Sequence, residues 1–216
     1  MATAPHLCAL ILAAGESSRM GADKALLPWP PQETGPTAAR QTLLSAGILA
    51  LQPLTRAVIV VAGRNAESLT PIVEVNGATL VRNPNPERGQ FSSLQTGLRE
   101  LLSRGFNAAM ITPVDCPPLS AGSLDLLRTS FARALTRGLW AVAPENSGKH
   151  GHPLLVNRNL IEAFLAAPVT SNAREVLHAN SPRIDYIPVL DTLAKAGLNT
   201  PADYATYTGK RPRSTP

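Results

Sequence analysis

Aromatic side chains are scarce in this sequence: Phe, Trp and Tyr together supply 4% of 216 residues. A core built from it must be aliphatic, and no interleaving of aromatic with basic residues suggests a nucleic-acid surface, so no nucleic-acid partner is expected. Cysteine is scarcer still. Cys8 and Cys116 are too few for a disulfide framework in a chain this long, and both fall in apolar runs. Buried free thiols and a cytoplasmic location are the expectation. Charged residues reach only 16% against 44% hydrophobic, which excludes global disorder. No apolar run approaches the length of a membrane span. The run 7–14 resembles the core of a signal peptide, but no cationic segment precedes it and polar Glu16, Ser17, Ser18 and Arg19 follow. No membrane partner is expected.

Proline, by contrast, is abundant at 20 residues, with Pro28, Pro30, Pro31 and Pro36 close together. The formal charge is +5, a balance that suits phosphorylated small molecules as well as nucleic acid. Part of it sits at the end of the chain, in Lys210, Arg211 and Arg213. The length fits one α/β domain, so the expected organisation is a single domain over 1–207 and a basic flexible tail over 208–216.

Four short runs, 7–12, 57–62, 108–114 and 139–143, are apolar throughout rather than alternating. A strand of a parallel sheet covered on both faces has that character. Helical spacing falls between them, at Leu44, Ile48 and Leu51, and again at Leu94, Leu98 and Leu101. Ser120 can cap a further helix carrying Leu124, Leu127 and Phe131. The C-terminal third is less regular. It carries an apolar run at 153–156, helices near 160–165 and 173–177, a strand at 184–189 and a short helix from Pro201. A Pro/Gly-rich surface loop is expected over 29–37, ahead of a helix starting near Ala38. Strand–helix alternation implies an α/β fold, a single-domain, doubly wound and mostly parallel sheet of Rossmann-like type. In such a sheet ligands bind at the carboxyl ends of the strands.

The chemically suggestive residues fall there. After the first strand comes Leu12-Ala13-Ala14-Gly15-Glu16-Ser17-Ser18-Arg19-Met20-Gly21-Ala22-Asp23-Lys24. Small residues let the backbone approach a ligand with its N–H groups free for phosphate oxygens, and Arg19 and Lys24 add a forked and a point charge. The segment is neither a P-loop nor a dinucleotide fingerprint. The plain alternative is a tight turn with two solvated cations. Asp115 stands where a buried strand gives out, stopped by Pro117-Pro118, and its carboxylate suits a hard cation such as Mg²⁺ or, more simply, a turn. Asn199 offers a neutral oxygen to a metal or a cap to the last helix. His150 and His152 lack the third ligand that a zinc site needs.

These motifs resemble, in order along nearly the whole chain, those of the MobA-like NTP transferases, the group that includes the molybdenum-cofactor nucleotidyltransferases. The glycine-containing segment from Leu12 to Lys24 is similar to the family signature. Asn83-Pro84 followed by Gly89-Gln90-Phe91-Ser92-Ser93-Leu94 looks like the loop before its third helix. Pro113-Val114-Asp115 resembles its acidic metal motif, and Gly151-His152-Pro153 its acceptor-side Gly-His-Pro. Leu198-Asn199-Thr200-Pro201-Ala202-Asp203 is similar to its closing element, with Asn199 where the family usually has Asp.

The resemblance implies a Mg²⁺-dependent nucleotidyltransferase whose partners are an NTP and a small phosphorylated acceptor. Lys24, Arg19 and Asp115 would be catalytic. Leu12, Ala13, Ala14, Gly15, Arg19, Met20, Gly21, Lys24, Ala62, Asn83 and Ser93 would bind the nucleotide. Asp115 and Asn199 would hold Mg²⁺, and Gly151, His152 and Pro153 would meet the acceptor. Leu-Ala-Ala-Gly, rather than Leu-Ala-Gly-Gly, together with Gly-Gln-Phe-Ser-Ser-Leu, looks like the cytidylyltransferase branch. That branch implies CMP transfer from CTP to the molybdenum cofactor, with guanylyl or sugar-phosphate transfer as the alternatives. The Asp-to-Asn departure at 199 also leaves open a non-catalytic accessory protein that serves a molybdenum hydroxylase.

Overall fold

The computed structural model describes residues 6–30, 41–168 and 170–208. Its first strand, β1 (Leu7–Leu12), is buried throughout, and successive residues serve two different cores. Alternate residues take opposite sides: Leu7, Ala9 and Ile11 face one apolar cluster, while Cys8, Leu10 and Leu12 face another. Two-sided burial is what a run without polar alternation requires. There follow α1 (Leu43–Leu51), β2 (Ala57–Ala62), α2 (Ala66–Val75), β3 (Thr79–Arg82), α3 (Gln90–Ser103), β4 (Ala108–Pro113) and α4 (Ala121–Thr136). The C-terminal part adds β5 (Ala141–Asn146), β6 (Lys149–His150), β7 (Leu154–Asn157), α5 (Arg158–Ala166), α6 (Ala173–Ala179), β8 (Ile184–Pro188) and α7 (Pro201–Thr208).

The strands form one eight-stranded sheet in the order β3-β2-β1-β4-β7-β5-β6, with β8 also paired to β5. Strands β1 to β4 are parallel. Strand β7 runs antiparallel to both β4 and β5, and β8 is parallel to β5. The sheet is therefore mostly parallel, with β7 and the short β6 as antiparallel members. Helices α1, α2 and α4 cover one face through Leu44, Ile48, Leu69, Val73, Leu124 and Leu127. Helices α3 and α5 cover the other through Leu98, Leu101, Leu160 and Phe164. The chain leaves β1 on one side, towards β2 and β3, and returns on the other side as β4. That reversal opens a crevice beyond the carboxyl ends of β1 and β4.

Several boundaries differ from the sequence expectation for local reasons. The loop at 31–37 and the helix start near Ala38 lie outside the described residues; the described helix begins at Leu43, where Thr42 and Ser45 cap each other. The strand expected at 139–143 runs over Ala141–Asn146, because Gly138 (φ 76°) ends the preceding helical stretch. Helix α2 was not expected, since Pro71 interrupts its pattern; buried Leu69 and Val73 hold it on the sheet regardless. Strand β6 exists because Ser147 (φ 54°) and Gly148 (φ 74°) make a two-residue turn between Asn146 and Lys149. Cys8 is buried, with its thiol pKa pushed up to about 12 by desolvation, whereas Cys116 is only partly buried. Helix α7 ends at Thr208, and the rest of the expected tail, 209–216, lies outside the described residues. Among the described residues no helix is long and apolar enough to cross a membrane.

Candidate active site

Beyond the ends of β1 and β4 the chain lines a cleft of about 510 Å³. One wall is the segment 13–24. It departs from β1 while Ala13 still donates its N–H to the Val61 carbonyl at 2.8 Å. Ser17 takes a left-handed conformation (φ 51°), and its Oγ accepts from the Lys24 backbone N at 3.1 Å, which closes the segment into a ring. Asp23 Oδ1 accepts from Ala25 N at 2.9 Å and begins a short 3-10 turn that carries Lys24. Met20 is buried with Leu27, Trp29, Leu43, Leu198 and Tyr204, which fastens the far side of the ring to α1 and α7.

Charges meet at the centre of the cleft. Lys24 Nζ lies 2.9 Å from Asp115 Oδ2 and 3.0 Å from Asn199 Oδ1. Arg19 Nη2 donates to the same Asn199 oxygen at 3.4 Å. The Lys24 and Asp115 side chains are only 11% and 24% exposed, so this pair is far better shielded than an ordinary surface ion pair. The backbone holds the partners together: Val114 N donates to Leu12 O at 2.9 Å, and Leu198 N to Asp115 O at 2.8 Å.

Asn199 does not cap α7. Thr200 Oγ1 accepts from Asp203 N at 3.2 Å, and Asp203 Oδ2 accepts from Thr200 N at 2.8 Å and Asn199 N at 3.0 Å. These bonds, the Thr200 side chain foremost, hold the Asp203 carboxyl below its usual range. With capping done by its neighbours, the Asn199 side chain faces Lys24. A carboxylate and an amide oxygen thus converge on a single cation, the ammonium of Lys24. Hard oxygens converging in this way suit Mg²⁺, which takes one or two protein ligands and completes its shell with phosphate oxygens and water. Among the described residues no group of three or more His, Cys, Asp or Glu could hold a metal.

The opposite wall is the start of α3, with Gly89, Gln90 and Ser93, preceded by Pro86 and Glu87. The free N–H groups of that helix terminus favour an anion. Asn83 lies behind this wall. Its amide donates to Ser92 Oγ and Ser93 Oγ at 2.9 Å each, and its oxygen accepts from Asn85 N at 3.0 Å. Gly63 brings the two walls together at their base. A Cβ there would stand 2.8 Å from the Ala14 carbonyl oxygen and 3.1 Å from Pro86, so only glycine permits the approach.

Of the residues expected to bind nucleotide, Leu12, Ala14, Gly15, Arg19, Lys24 and Ser93 line the cleft, and so do Asp115 and Asn199. Ala13, Met20, Ala62 and Asn83 are buried, and Gly21 (φ 73°) shapes the ring; none of the five lines the cleft. Glu16, Ser17, Ser18, Pro86, Glu87, Gly89, Gln90, Pro113 and Val114 line it as well. Their signal was adjacency, since each belongs to or borders a motif already singled out for another residue.

The Gly151-His152-Pro153 triplet also lies away from the cleft lining. A Cβ on Gly151 would come within 1.6 Å of the Ala194 carbonyl oxygen, so this glycine serves a backbone contact. His152 Nδ1 lies 3.4 Å from Ile111 O. Burial lowers its pKa, against the Ile111 contact and the charge of Asp115, which raise it. His150 is exposed and stacks on Tyr186, with ring centroids 3.6 Å apart and planes 9° from parallel. The Cys116 thiol, 3.8 Å from Asp115 Oδ1, is pushed up chiefly by burial and then by that carboxylate.

Comparison with known proteins points the same way as the cleft. The family model for the MobA-like NTP transferase domain matches residues 9–184. The molybdenum cofactor cytidylyltransferase of Escherichia coli K12 is 29% identical over 169 residues, covering 78% of this chain and 79% of that protein. A probable molybdenum cofactor guanylyltransferase of Mycobacterium avium is also 29% identical, over 205 residues, covering 94% of this chain and 95% of that protein. Among solved structures, Rv0371c of Mycobacterium tuberculosis H37Rv superposes with a TM-score of 0.74 at 17% identity, covering 94% of this chain and 98% of that one. It has also been solved in complex with manganese.

Proposed function

The chain belongs to the MobA-like NTP transferase family, and from that membership we propose that it transfers CMP from CTP to the phosphate of a small acceptor, the molybdenum cofactor, with release of pyrophosphate. The observation that carries the reading is the convergence of Lys24, Asp115 and Asn199 within 3.0 Å beside the glycine-containing ring. An acceptor phosphate oxygen attacks the α-phosphorus in line, and the bond to the β-phosphate oxygen breaks. Catalysis then consists of positioning and of neutralising charge.

The Lys24 ammonium is held by Asp115 and Asn199. On binding a triphosphate it turns to the α-phosphate oxygens, and the exposed guanidinium of Arg19 takes the leaving pyrophosphate. Asp115 and Asn199 would then hold Mg²⁺, which supplies charge neutralisation at the phosphate oxygens. The backbone at Gly15 and the start of α3 complete the contacts to the nucleotide. Handing the product to a molybdenum hydroxylase belongs to the same reading.

Cytidine is favoured over guanosine by Ala14, which lines the cleft where the guanylyl signature has glycine. Its methyl group leaves less room for a purine. A thermal-shift comparison of the four NTPs with Mg²⁺ tests this. A ligand that binds only the folded chain stabilises it by about 2.7 kcal/mol at a hundredfold excess over Kd. CTP should give the largest shift. A larger shift with GTP moves the assignment to guanylyl transfer. Absence of any shift, and of pyrophosphate release with acceptor present, favours the accessory protein instead.

A further inference from the structure

Asn65 stands immediately before α2, at a position where an Asn side chain ordinarily caps the helix. It makes no such bond. Its amide is committed across the sheet instead. Nδ2 donates to the Ala13 carbonyl at 2.9 Å and to Asp23 Oδ2 at 2.8 Å, and Oδ1 accepts from Gly63 N at 3.1 Å. Both amide hydrogens and one oxygen lone pair are thereby used. The three partners are the residue after β1, the residue before Lys24 and the residue after β2. One side chain therefore joins the two ends of the ring 13–24 to each other and to the neighbouring strand.

The other contacts each fasten a single point of the ring: Ala13 N to Val61 O, Met20 in its apolar cluster and Lys24 to Asp115. Gly15, Glu16, Ser18 and Arg19 are exposed along the ring. Inside it, the bond from Lys24 N to Ser17 Oγ closes the ring but does not fasten it to the sheet. Asp23 is the hinge between the two systems. Its Oδ1 accepts from Ala25 N and starts the turn carrying Lys24, while its Oδ2 is held by Asn65. Asn65 itself does not line the cleft.

We infer that Asn65 is a positioning residue: through Ala13 and Asp23 it holds the ring in the shape that presents Gly15 and Lys24 to a triphosphate. The inference rests on the nucleotidyl-transfer reading for its consequence, but its geometry can be tested separately.

Asn65→Asp keeps the size of the side chain and the bond from Gly63 N. It sets a carboxylate against Asp23 and the Ala13 carbonyl. Asp23→Asn keeps the bond from Ala25 N and sets two amide groups against each other. In the double variant Asn65→Asp/Asp23→Asn the polarity is exchanged, and the amide now on residue 23 donates to the carboxylate on residue 65. Two readouts are taken on all four proteins: hydrogen–deuterium exchange over 13–24, and steady-state kinetics with CTP and Mg²⁺. Each single variant should exchange faster over 13–24 and show KM for CTP raised about tenfold, the scale of losing one well-placed hydrogen bond to a charged group. Global melting should change little, and the double variant should recover the part of both effects that comes from the 65–23 pair, improving on Asn65→Asp, while the bond to the Ala13 carbonyl stays lost.

Exchange and KM at the wild-type level in Asn65→Asp, or a double variant no better than the worse single one, overturns the inference. If exchange follows the predicted pattern but the wild-type protein neither binds nor turns over any NTP, the tether stands and the nucleotide reading has failed.

Discussion

The ring 13–24 and the segment 146–153 leave parallel strands at the same edge of the sheet, and both contain a glycine from a family-like motif, but they are built in opposite ways. The ring is an open backbone braced from behind. A Cβ on Gly15 would meet nothing within 4 Å, and the bracing comes from Asn65, Asp23 and the buried side chain of Met20. The segment 146–153 is instead backbone packed on backbone. Asn146 Nδ2 donates to Val189 O at 2.8 Å, Gly151 abuts the Ala194 carbonyl, and Pro153 is buried. The same residue type thus serves ligand approach in one place and packing in the other. Motif resemblance alone does not separate these uses; the space around the missing Cβ does.

The charged centre between the two segments should give the largest effects. Asp115→Asn removes the carboxylate charge that pairs with Lys24 and that, in the proposed reading, holds Mg²⁺. A metal's share of transition-state charge stabilisation is several kcal/mol, so pyrophosphate release should fall about a thousandfold or more. Titrating Mg²⁺ upward should restore little. Lys24→Ala should lower kcat by about a hundredfold to a thousandfold with the fold intact. It should also tighten Mn²⁺ binding without nucleotide, read by electron paramagnetic resonance, because the competing ammonium is gone. Wild-type turnover in either variant would remove the centre from the mechanism.

The two glycines come next. Gly151→Ala forces a methyl group into the Ala194 carbonyl, and overpacking of this kind costs about 1–3 kcal/mol, a melting temperature lower by several degrees in a chain of this size. Gly15→Ala should leave melting unchanged and raise KM for the NTP, since its methyl meets only the ligand. If the two substitutions behave alike, the contrast between braced and packed backbone is lost.

The smallest effect concerns His152. Burial lowers its pKa from the ordinary 6.5, so the folded chain keeps the imidazole neutral where the unfolded chain takes up a proton. Stability contributed by the neutral ring is therefore complete above pH 6.5 and declines as the pH falls below it. His152→Gln should flatten that part of the stability curve, as read from denaturant midpoints between pH 7 and about pH 5. An unchanged slope would show that the ring is solvated.

Much of the molecule follows from local chemistry that a sequence displays. Strands β1 and β2 occupy their apolar runs to the residue, because burial on both faces demands unbroken aliphatic stretches. The placement of Asp115 just past the end of a buried strand follows from the same rule. Helix α2 was hidden because Pro71 breaks its pattern, and its stability comes from contacts with the sheet rather than from propensity. With α2 went the importance of Asn65, whose partners lie 52 and 42 residues away. The role of Asn199 was equally out of reach. Cap and cleft were both chemically sound for an asparagine there, and only the bonds between Thr200 and Asp203 free its side chain for Lys24. Hydrophobic period and strand ends are properties of neighbouring residues, so the sequence alone determined them. Which oxygens converge on one cation depends on distant segments meeting, and only the tertiary structure decided that.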